Sequence, residues 1–449
     1  MPIAAQEILR RRDMRSVLTF TVDPEDAKDF DDALSYADLG DGQYQVGVHI
    51  ADVSYYVQPG SDIDSEAYRL GTSTYLVDHV EPMLPEQLCN DICSLRPGED
   101  KLTMSVIFVV DRDGKVLKHK ICRTVICSNA RLTYSQAQAM LDGDDHQPEV
   151  AQAMRHLDAM AQAYRAERMR QGALDIEQEE PHFVLGPDGR PSDIVFHAAT
   201  AANHLIEEWM LLANRTVAQD MYGHPMVWRV HDVPDRDKME NLRLFRRTVG
   251  RRVSQEVIDM LTVRAMAKAE YSTVNIGHYG LRFPYYTHFT SPIRRYPDVM
   301  VHRLVSKYIL GERDKGNSGQ LADPGYLKEA CQHCSATEVD AAEAERDSIK
   351  YYQLLWLEDH VGQDFDGHIV GVTDFGVFVR LDLSRCEGLV HISQLEPGDY
   401  MQFDERNYRL IASGSGRTYT MGDALRVRVA RVDTLRRQVD LQIIRDEED

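Results

Sequence analysis

Residues 21–35 read TVDPEDAKDFDDALS, with Asp23, Asp26, Asp29, Asp31 and Asp32 inside ten consecutive positions. Two carboxylates about 4 Å apart repel by roughly 4 kcal/mol at an effective dielectric near 20. A fold that gathers them needs something to remove the repulsion. In an extended segment Asp29 and Asp31 share one face and Asp32 takes the other. Asp23 can reach the same place if the chain bends, and Pro24 favours a bend. An oxygen-only donor set suits a hard divalent cation, Mg2+ or Mn2+, better than zinc. A solvated acidic turn is the bland alternative. Against it, Ala27, Phe30, Ala33 and Leu34 interrupt the run and LTFTV leads into it. That framing implies partial burial, where bare carboxylates are costly.

The flanking sequence is strand-rich. YQVGVHIADVSYYV (44–57) and LTMSVIFVVD (102–111) are β-branched and partly alternating. After a loop at 142–149 the period becomes helical, at 150–171, 200–222, 235–248, 254–270 and 296–311. Residues 311–325 have loop composition, and a long helix is expected from Tyr326 to about His360. Strands then return: FDGHIVGV, FGVFVRLD, EGLVHIS, ALRVRVARVD and QVDLQII. Five short strands over so few residues predict a small barrel.

The 449 residues suffice for two or three domains, and 43% hydrophobic with 27% charged residues is ordinary for a globular protein. No long apolar run predicts a membrane span, and the N-terminal stretch lacks a signal-peptide pattern. Seven scattered cysteines do not form a disulfide framework, so a reducing cytoplasm is expected. A net charge of −21 argues against non-specific coating of nucleic acid, but local basic channels can sit on an acidic body.

A second constellation, HYGLRFPYYTHFTSPIRRYPDVMVHRLV (278–305), mixes aromatics, hydroxyls and arginines. Ser291 and Pro292 mark a helix start, with Arg294 and Arg295 in its first turn. Cations are unfavourable at that end of a helix dipole, so an anionic partner is expected there. Guanidinium binds phosphate in bidentate fashion, and Tyr285, Tyr286, Phe289 and Tyr296 offer stacking surfaces. A surface helix start with core aromatics is the competing reading. Metal-binding carboxylates together with phosphate-binding arginines point to phosphoryl-transfer chemistry.

TVDPEDAKDFDDALS, VHIADVSYYV, STYLVDHVEPMLPEQL and YYTHFTSPIRRYPDVMVHRLV, in this order, resemble the catalytic domain of the ribonuclease II/ribonuclease R family. The likeness runs from about Arg10 to the end. It implies an α+β catalytic (RNB-type) domain of mixed sheet plus packed helices, followed by an all-β OB-fold barrel of the S1 RNA-binding type. The implied division is a lead-in at 1–20, the catalytic domain at 21–360 and the barrel at 361–445. The implied activity is processive, hydrolytic 3′-to-5′ degradation of single-stranded RNA to nucleoside 5′-monophosphates. The implied cofactor is Mg2+, two ions during catalysis, with Mn2+ as a substitute. No obligatory protein partner is implied.

The resemblance places the metal-site aspartates at Asp23, Asp29, Asp31 and Asp32, with Asp26 peripheral. It puts the tyrosine that stacks on the 3′-terminal nucleotide at Tyr75 and an opposing aromatic at Phe183. The arginine near the scissile phosphate falls on Arg294, with Arg295 beside it, and the associated glutamate on Glu345, with Glu343 the runner-up. In GHIVGVTDFGVFVRL and EGLVHISQL the RNA-facing residues fall on Phe375, Phe378 and His391. Phe378 can also be read as a strand core residue. From residue 361 onward there are eleven arginines, no lysines and sixteen acids, so the expected grip on RNA is moderate.

The chain departs from the family pattern in three places. Relatives carry cold-shock domains ahead of the catalytic domain, and here the sequence starts almost at the acidic motif. Residues 245–261 look shorter than their counterpart, and IIRDEED at the end is not a basic tail. Several other groups have bland readings. Cys331 and Cys334 in CQHC, and the pair in CNDIC, lack further metal ligands. His49 and Asp52 are either active-site support or a buried His–carboxylate pair. Of Glu207 and Glu208, one is expected to be solvated and the other paired internally. Two rivals remain at this stage: a non-catalytic RNA clamp on the same fold, and a DNA-directed metal nuclease.

Overall fold

The computed structural model describes residues 3–174, 179–249, 255–312 and 316–445. Part of the 245–261 stretch and the last four residues lie outside them. The first half of the chain builds a mixed sheet. Its strands are β1 (Arg12–Asp13), β2 (Thr19–Asp23), β3 (Asp32–Gly40) and β4 (Gln43–Ala51). A small hairpin follows, β5 (Thr74–Tyr75) and β6 (Val80–Glu81). The sheet then resumes with β7 (Asp100–Asp111), β8 (Val116–Cys127) and β9 (Ala130–Thr133). The order across it is β1-β8-β7-β4-β3-β2-β9, parallel at β1/β8 and β2/β9 and antiparallel elsewhere.

Residues 101–110 of β7 are all buried. A central strand covered on both faces has no need to alternate, which accounts for the run MSVIFVV. Its polar members are paired laterally. Ser105 Oγ lies 2.7 Å from His49 Nδ1 and 2.6 Å from Thr124 Oγ1, and His49 Nε2 lies 2.8 Å from Ser35 Oγ. Gly47 leaves room for the imidazole, since a Cβ there would fall 2.4 Å from Nε2. Burial pushes the His49 pKa down to about 3, so the ring is neutral near neutral pH. A His49–Asp52 pair, one of the two readings of these residues, does not form. Asp52 instead meets Arg11 at 2.8 Å and also Arg123. Burial alone would raise its pKa, and the two guanidiniums outweigh that and hold it low. Asp52 also accepts from Ser54 Oγ at 2.8 Å, and Val53–Tyr56 forms one helical turn rather than continuing the strand.

Helices Pro148–Arg170 and Ala201–Asp220 pack together, with Trp209 Nε1 donating to Leu157 O at 3.2 Å. Glu208 is buried against Arg168, whereas Glu207 is half-exposed. A hairpin of β10 (Glu180–Leu185) and β11 (Pro191–His197) precedes the second of these helices. The expected helix at 254–270 stops at Ala265, because Glu270–Ser272 (β13) pairs with Trp228–Val230 (β12). The stretch 311–325 is not all loop, since Gly316–Ala322 is a short 3-10 helix. The long helix spans Pro324–Glu358 and buries Cys331 and Cys334 as free thiols.

The C-terminal strands are β14 (Asp364–Thr373), β15 (Gly376–Leu381), β16 (Glu387–His391), β17 (Met401–Asp404), β18 (Arg409–Ala412), β19 (Thr418–Thr420), β20 (Ala424–Asp433) and β21 (Gln438–Ile443). The five expected strands close a barrel in the order β14-β15-β16-β21-β20. Strands β17–β19 form a separate small sheet that pattern reading missed, each being only three or four residues long. The barrel core includes Val377, Val379, Leu381, Val390 and Val427, and it also takes Ile194 from β11 and Leu354, Trp356 and Leu357 from the long helix. Barrel and catalytic region therefore share a hydrophobic core. Among the described residues no helix is long and apolar enough to cross a membrane.

Candidate active site

The acidic run connects neighbouring antiparallel strands. Asp23 ends β2, Asp32 opens β3, and Asp29 and Asp31 lie in the irregular link between them. A simple strand alternation therefore does not place them. The link is pinned by its backbone. Ser94 Oγ donates to Lys28 O at 2.7 Å and accepts from Phe30 N at 3.0 Å. Phe30 O accepts from Leu95 N at 3.0 Å, and Asp31 O accepts from Ala51 N at 2.8 Å. The buried Phe30 ring anchors the link, with Arg131 over its face. Asp26 is exposed.

Burial raises all four carboxylates above their usual range. Asp23 rises to about 7, with Asp32 adding repulsion, and Asp32 rises to about 6 against the pull of Arg294. Asp31 is pushed well up by burial and Asp29 also rises. Asp31 Oδ1 accepts from the backbone N–H of Ile293 at 2.8 Å, and its Oδ2 lies 3.7 Å from Arg294 Nε. Asp31 Oδ2 and Asp23 Oδ2 are buried without a hydrogen-bond partner. Buried, unpartnered carboxylate oxygens are costly unless a cation or a proton meets them. By donor type the cluster fits a hard divalent cation. Among the described residues no three such side chains already converge in metal-holding geometry.

Arg294 and Arg295 precede the helix Tyr296–Tyr308 rather than forming its first turn, and Arg295 is its N-cap residue. The backbone here is held by a different part of the chain. Thr72 bridges to Arg295, Ser73 N donates to Arg294 O at 2.9 Å, and Tyr296 N donates to Gly71 O at 2.9 Å. That pairing stops the helix from extending backward. The two arginines also diverge in role. Arg295 is committed to Asp298, at 3.0 and 2.8 Å, which runs against its expected place as an RNA ligand. Arg294 keeps a 43% exposed side chain beside Asp31.

Tyr75 lies two residues beyond Ser73 and is 40% exposed. Burial raises the pKa of its hydroxyl, with Asp29 and Arg294 among the charges nearby. Its backbone N–H donates to Glu345 Oε1 at 2.9 Å. Glu343 is exposed, so Glu345 is the glutamate placed against Tyr75. Phe183 sits on β10, partly buried against the barrel core, with its ring 5.8 Å from that of Tyr352.

Phe375, Phe378 and His391 meet at one end of the barrel. Gly376 pairs with His391, Ile392 N donates to Phe375 O at 2.9 Å, and the two phenyl rings are 6.1 Å apart, edge to face. Val377, Val379 and Leu381 point inward, so Phe378 is on the outer face and not in the core. The sequence reading missed Ile293 and Ser94, which hold the acidic link through backbone and hydroxyl bonds. The first acts through a backbone amide, which carries no side-chain signature.

A family profile described as the RNB domain matches residues 11–311, and one described as the S1 RNA binding domain matches 358–444. The chain is 39% identical to a ribonuclease R from Aquifex aeolicus over 98% of its own length, and spans 66% of that relative. It is 38% identical to a ribonuclease R from Thermotoga maritima over its whole length, and spans 67% of that one. The fold superimposes on Mycoplasma genitalium RNase R, solved in complex with ribose methylated single-stranded RNA. The TM-score is 0.92 at 27% identity, covering 99% of this chain and 74% of the other.

Proposed function

The chain belongs to the ribonuclease R family of RNB-domain proteins, and from that membership we propose that it is a hydrolytic 3′-to-5′ exoribonuclease acting on single-stranded RNA. The observation that carries this is the meeting of Asp31, Arg294 and the Tyr75 segment at one place: Arg294 Nε lies 3.7 Å from Asp31 Oδ2, and its carbonyl accepts from Ser73 N at 2.9 Å, two residues before Tyr75. It joins raised, partly unpartnered carboxylates to a guanidinium and an accessible ring.

In this reading Asp23, Asp29, Asp31 and Asp32 hold Mg2+ or Mn2+, two ions during turnover. When bound, such ions activate a water for attack and offset charge at a leaving oxygen. Arg294 meets the charge that builds on the phosphate. The Ile293 amide fixes Asp31, so one carboxylate oxygen is held and the other is left for a ligand. Tyr75 stacks on the 3′-terminal base and Phe183 lies across from it. Glu345 acts through the Tyr75 backbone, and Arg295 orients the Arg294 loop through Asp298. No side chain has to act as a nucleophile: water attacks the phosphorus, the P–O3′ bond breaks, the 3′ oxygen leaves on the shortened chain and takes a proton, and the product is a nucleoside 5′-monophosphate.

The barrel supplies Phe375, Phe378 and His391 as a sequence-tolerant platform for the upstream strand, which fits processive movement. We divide the chain into a lead-in at 1–20, a catalytic domain at 21–360 and an S1 domain at 361–445, the last two sharing core residues. All seven cysteines are free, which fits a reducing cytoplasm. Four raised carboxylates favour catalysis over a non-catalytic clamp, since a clamp has no use for costly buried charge.

The test is incubation with single-stranded RNA labelled at either end, with Mg2+. A ladder that shortens from the 3′ end and releases mononucleotides is expected. Internal cleavage, shortening from the 5′ end, or binding without hydrolysis would overturn the reading.

A further inference from the structure

We propose that one face of the helix Pro324–Glu358, formed by Glu345, Ser348 and Tyr352, is the spacer that fixes the two aromatic walls of the 3′-nucleotide pocket. This rests on the reading above, in which Tyr75 and Phe183 flank that nucleotide. It makes Ser348 and Tyr352 positioning residues.

The hairpin that carries Tyr75 has two strands of two residues each. Such a hairpin is not stable alone, and its outer strand edge leaves amides that need acceptors. The helix provides them. The N–H groups of Tyr75 and Val77, two residues apart and so on one strand edge, donate to Glu345 Oε1 at 2.9 Å and to Ser348 Oγ at 3.1 Å. Two helix side chains thus stand where a third strand would be. One turn further on, Tyr352 lies beside Asp78 in the turn of the same hairpin.

Residues 345, 348 and 352 are spaced three and four apart and share one face of a helix. The face reaches the second wall as well. The Tyr352 ring lies 5.8 Å from that of Phe183. The turn of the Phe183 hairpin is tied further along the same helix, where Arg190 bonds Leu355 O at 3.2 Å and Glu358 at 3.1 Å. Both walls therefore hang on one rigid element, and their separation is set by helix geometry, not by the short hairpins themselves.

The experiment compares wild type with Ser348→Ala, Ser348→Thr, Tyr352→Leu and Tyr352→Phe. It measures final remnant length, KM on a short RNA, kcat on a long RNA and melting temperature. Ser348→Ala and Tyr352→Leu are expected to release remnants longer by about one to two nucleotides. Each should raise KM on short RNA about fivefold, while kcat on long RNA falls less than about twofold. Ser348→Thr keeps the acceptor and should restore wild-type remnants. Tyr352→Phe keeps the ring and should fall between. Folded Ser348→Ala and Tyr352→Leu enzymes with wild-type remnants and KM would overturn the spacer role. If Tyr352→Leu does not fold, the Ala/Thr pair at 348 decides alone. A wild-type protein that leaves RNA intact would instead overturn the proposed function.

Discussion

The amide of Ile293 donates to Asp31 Oδ1 at 2.8 Å across 262 positions of sequence. Through it the acidic link and the arginine loop are assembled as one unit. Arg294 comes beside Asp31 because its neighbour's backbone is already bonded there. The same loop pairs through Thr72 and Ser73 with the segment that leads into Tyr75.

Asp31→Asn should abolish hydrolysis and leave RNA binding within a fewfold of wild type. The amide side chain still accepts from Ile293, so the loop stays in place while a ligand charge is lost. Single-turnover cleavage and filter binding on the same preparation measure both. Wild-type turnover would remove Asp31 from the chemistry.

Protons and divalent ions compete for the carboxylates. With Asp23 near 7 and Asp32 near 6, against about 4 in an unfolded chain, the metal-free native state binds more protons between those values. Its stability should fall as pH rises from about 4 to 7 and then level off. Mg2+ should therefore bind tighter at pH 8 than at pH 6 and release protons on binding, which calorimetry in two buffers of different ionisation heat will read. An affinity independent of pH would contradict the raised values.

In the proposed function Tyr75 acts through its ring. Tyr75→Ala should release longer remnants, since base stacking is worth about 1–3 kcal/mol. Tyr75→Phe should keep wild-type remnants, because stacking needs the ring and not the hydroxyl. Remnant length unchanged in a well-folded Tyr75→Ala enzyme would place the ring outside the pocket.

Asp298 is fully buried, pairs with the partly buried Arg295, and also accepts from the Ser291 amide at 2.8 Å. Asp298→Ala leaves a guanidinium and an amide unpaired, at a cost of roughly 3–5 kcal/mol. Urea unfolding gives the value, and a loss below about 1 kcal/mol would mean that water replaces the carboxylate.

Phe375→Ala should weaken binding of long RNA several-fold and leave cleavage of saturating short RNA unchanged. Cutting the chain at 361 is a poorer test of the barrel. It would strip cover from Trp356, Leu357 and Ile194, and with them the seat of Phe183. Equal loss on short and long RNA in Phe375→Ala would give the barrel a part in the chemistry.

The sequence by itself determined the chemistry of the donors and the class of the fold. Carboxylate spacing, helical periodicity at 150–171 and 200–222 and five β-rich segments near the C-terminus are local properties, and they survive into the structure. Tertiary structure decided where each of these groups sits and what it meets. Arg294 and Arg295 are chemically equivalent in sequence, and only the packing of Asp298 commits one of them inward. Glu343 and Glu345 differ by two positions on a helix, and only Glu345 faces the Tyr75 amide. His49 and Asp52 looked like partners because they are close in sequence. The sheet instead directs one to Ser35 and Ser105 and the other to two arginines. In each case the deciding contact is non-local, often through a backbone amide whose residue identity is silent. Neither side-chain type nor spacing along the chain encodes such a contact.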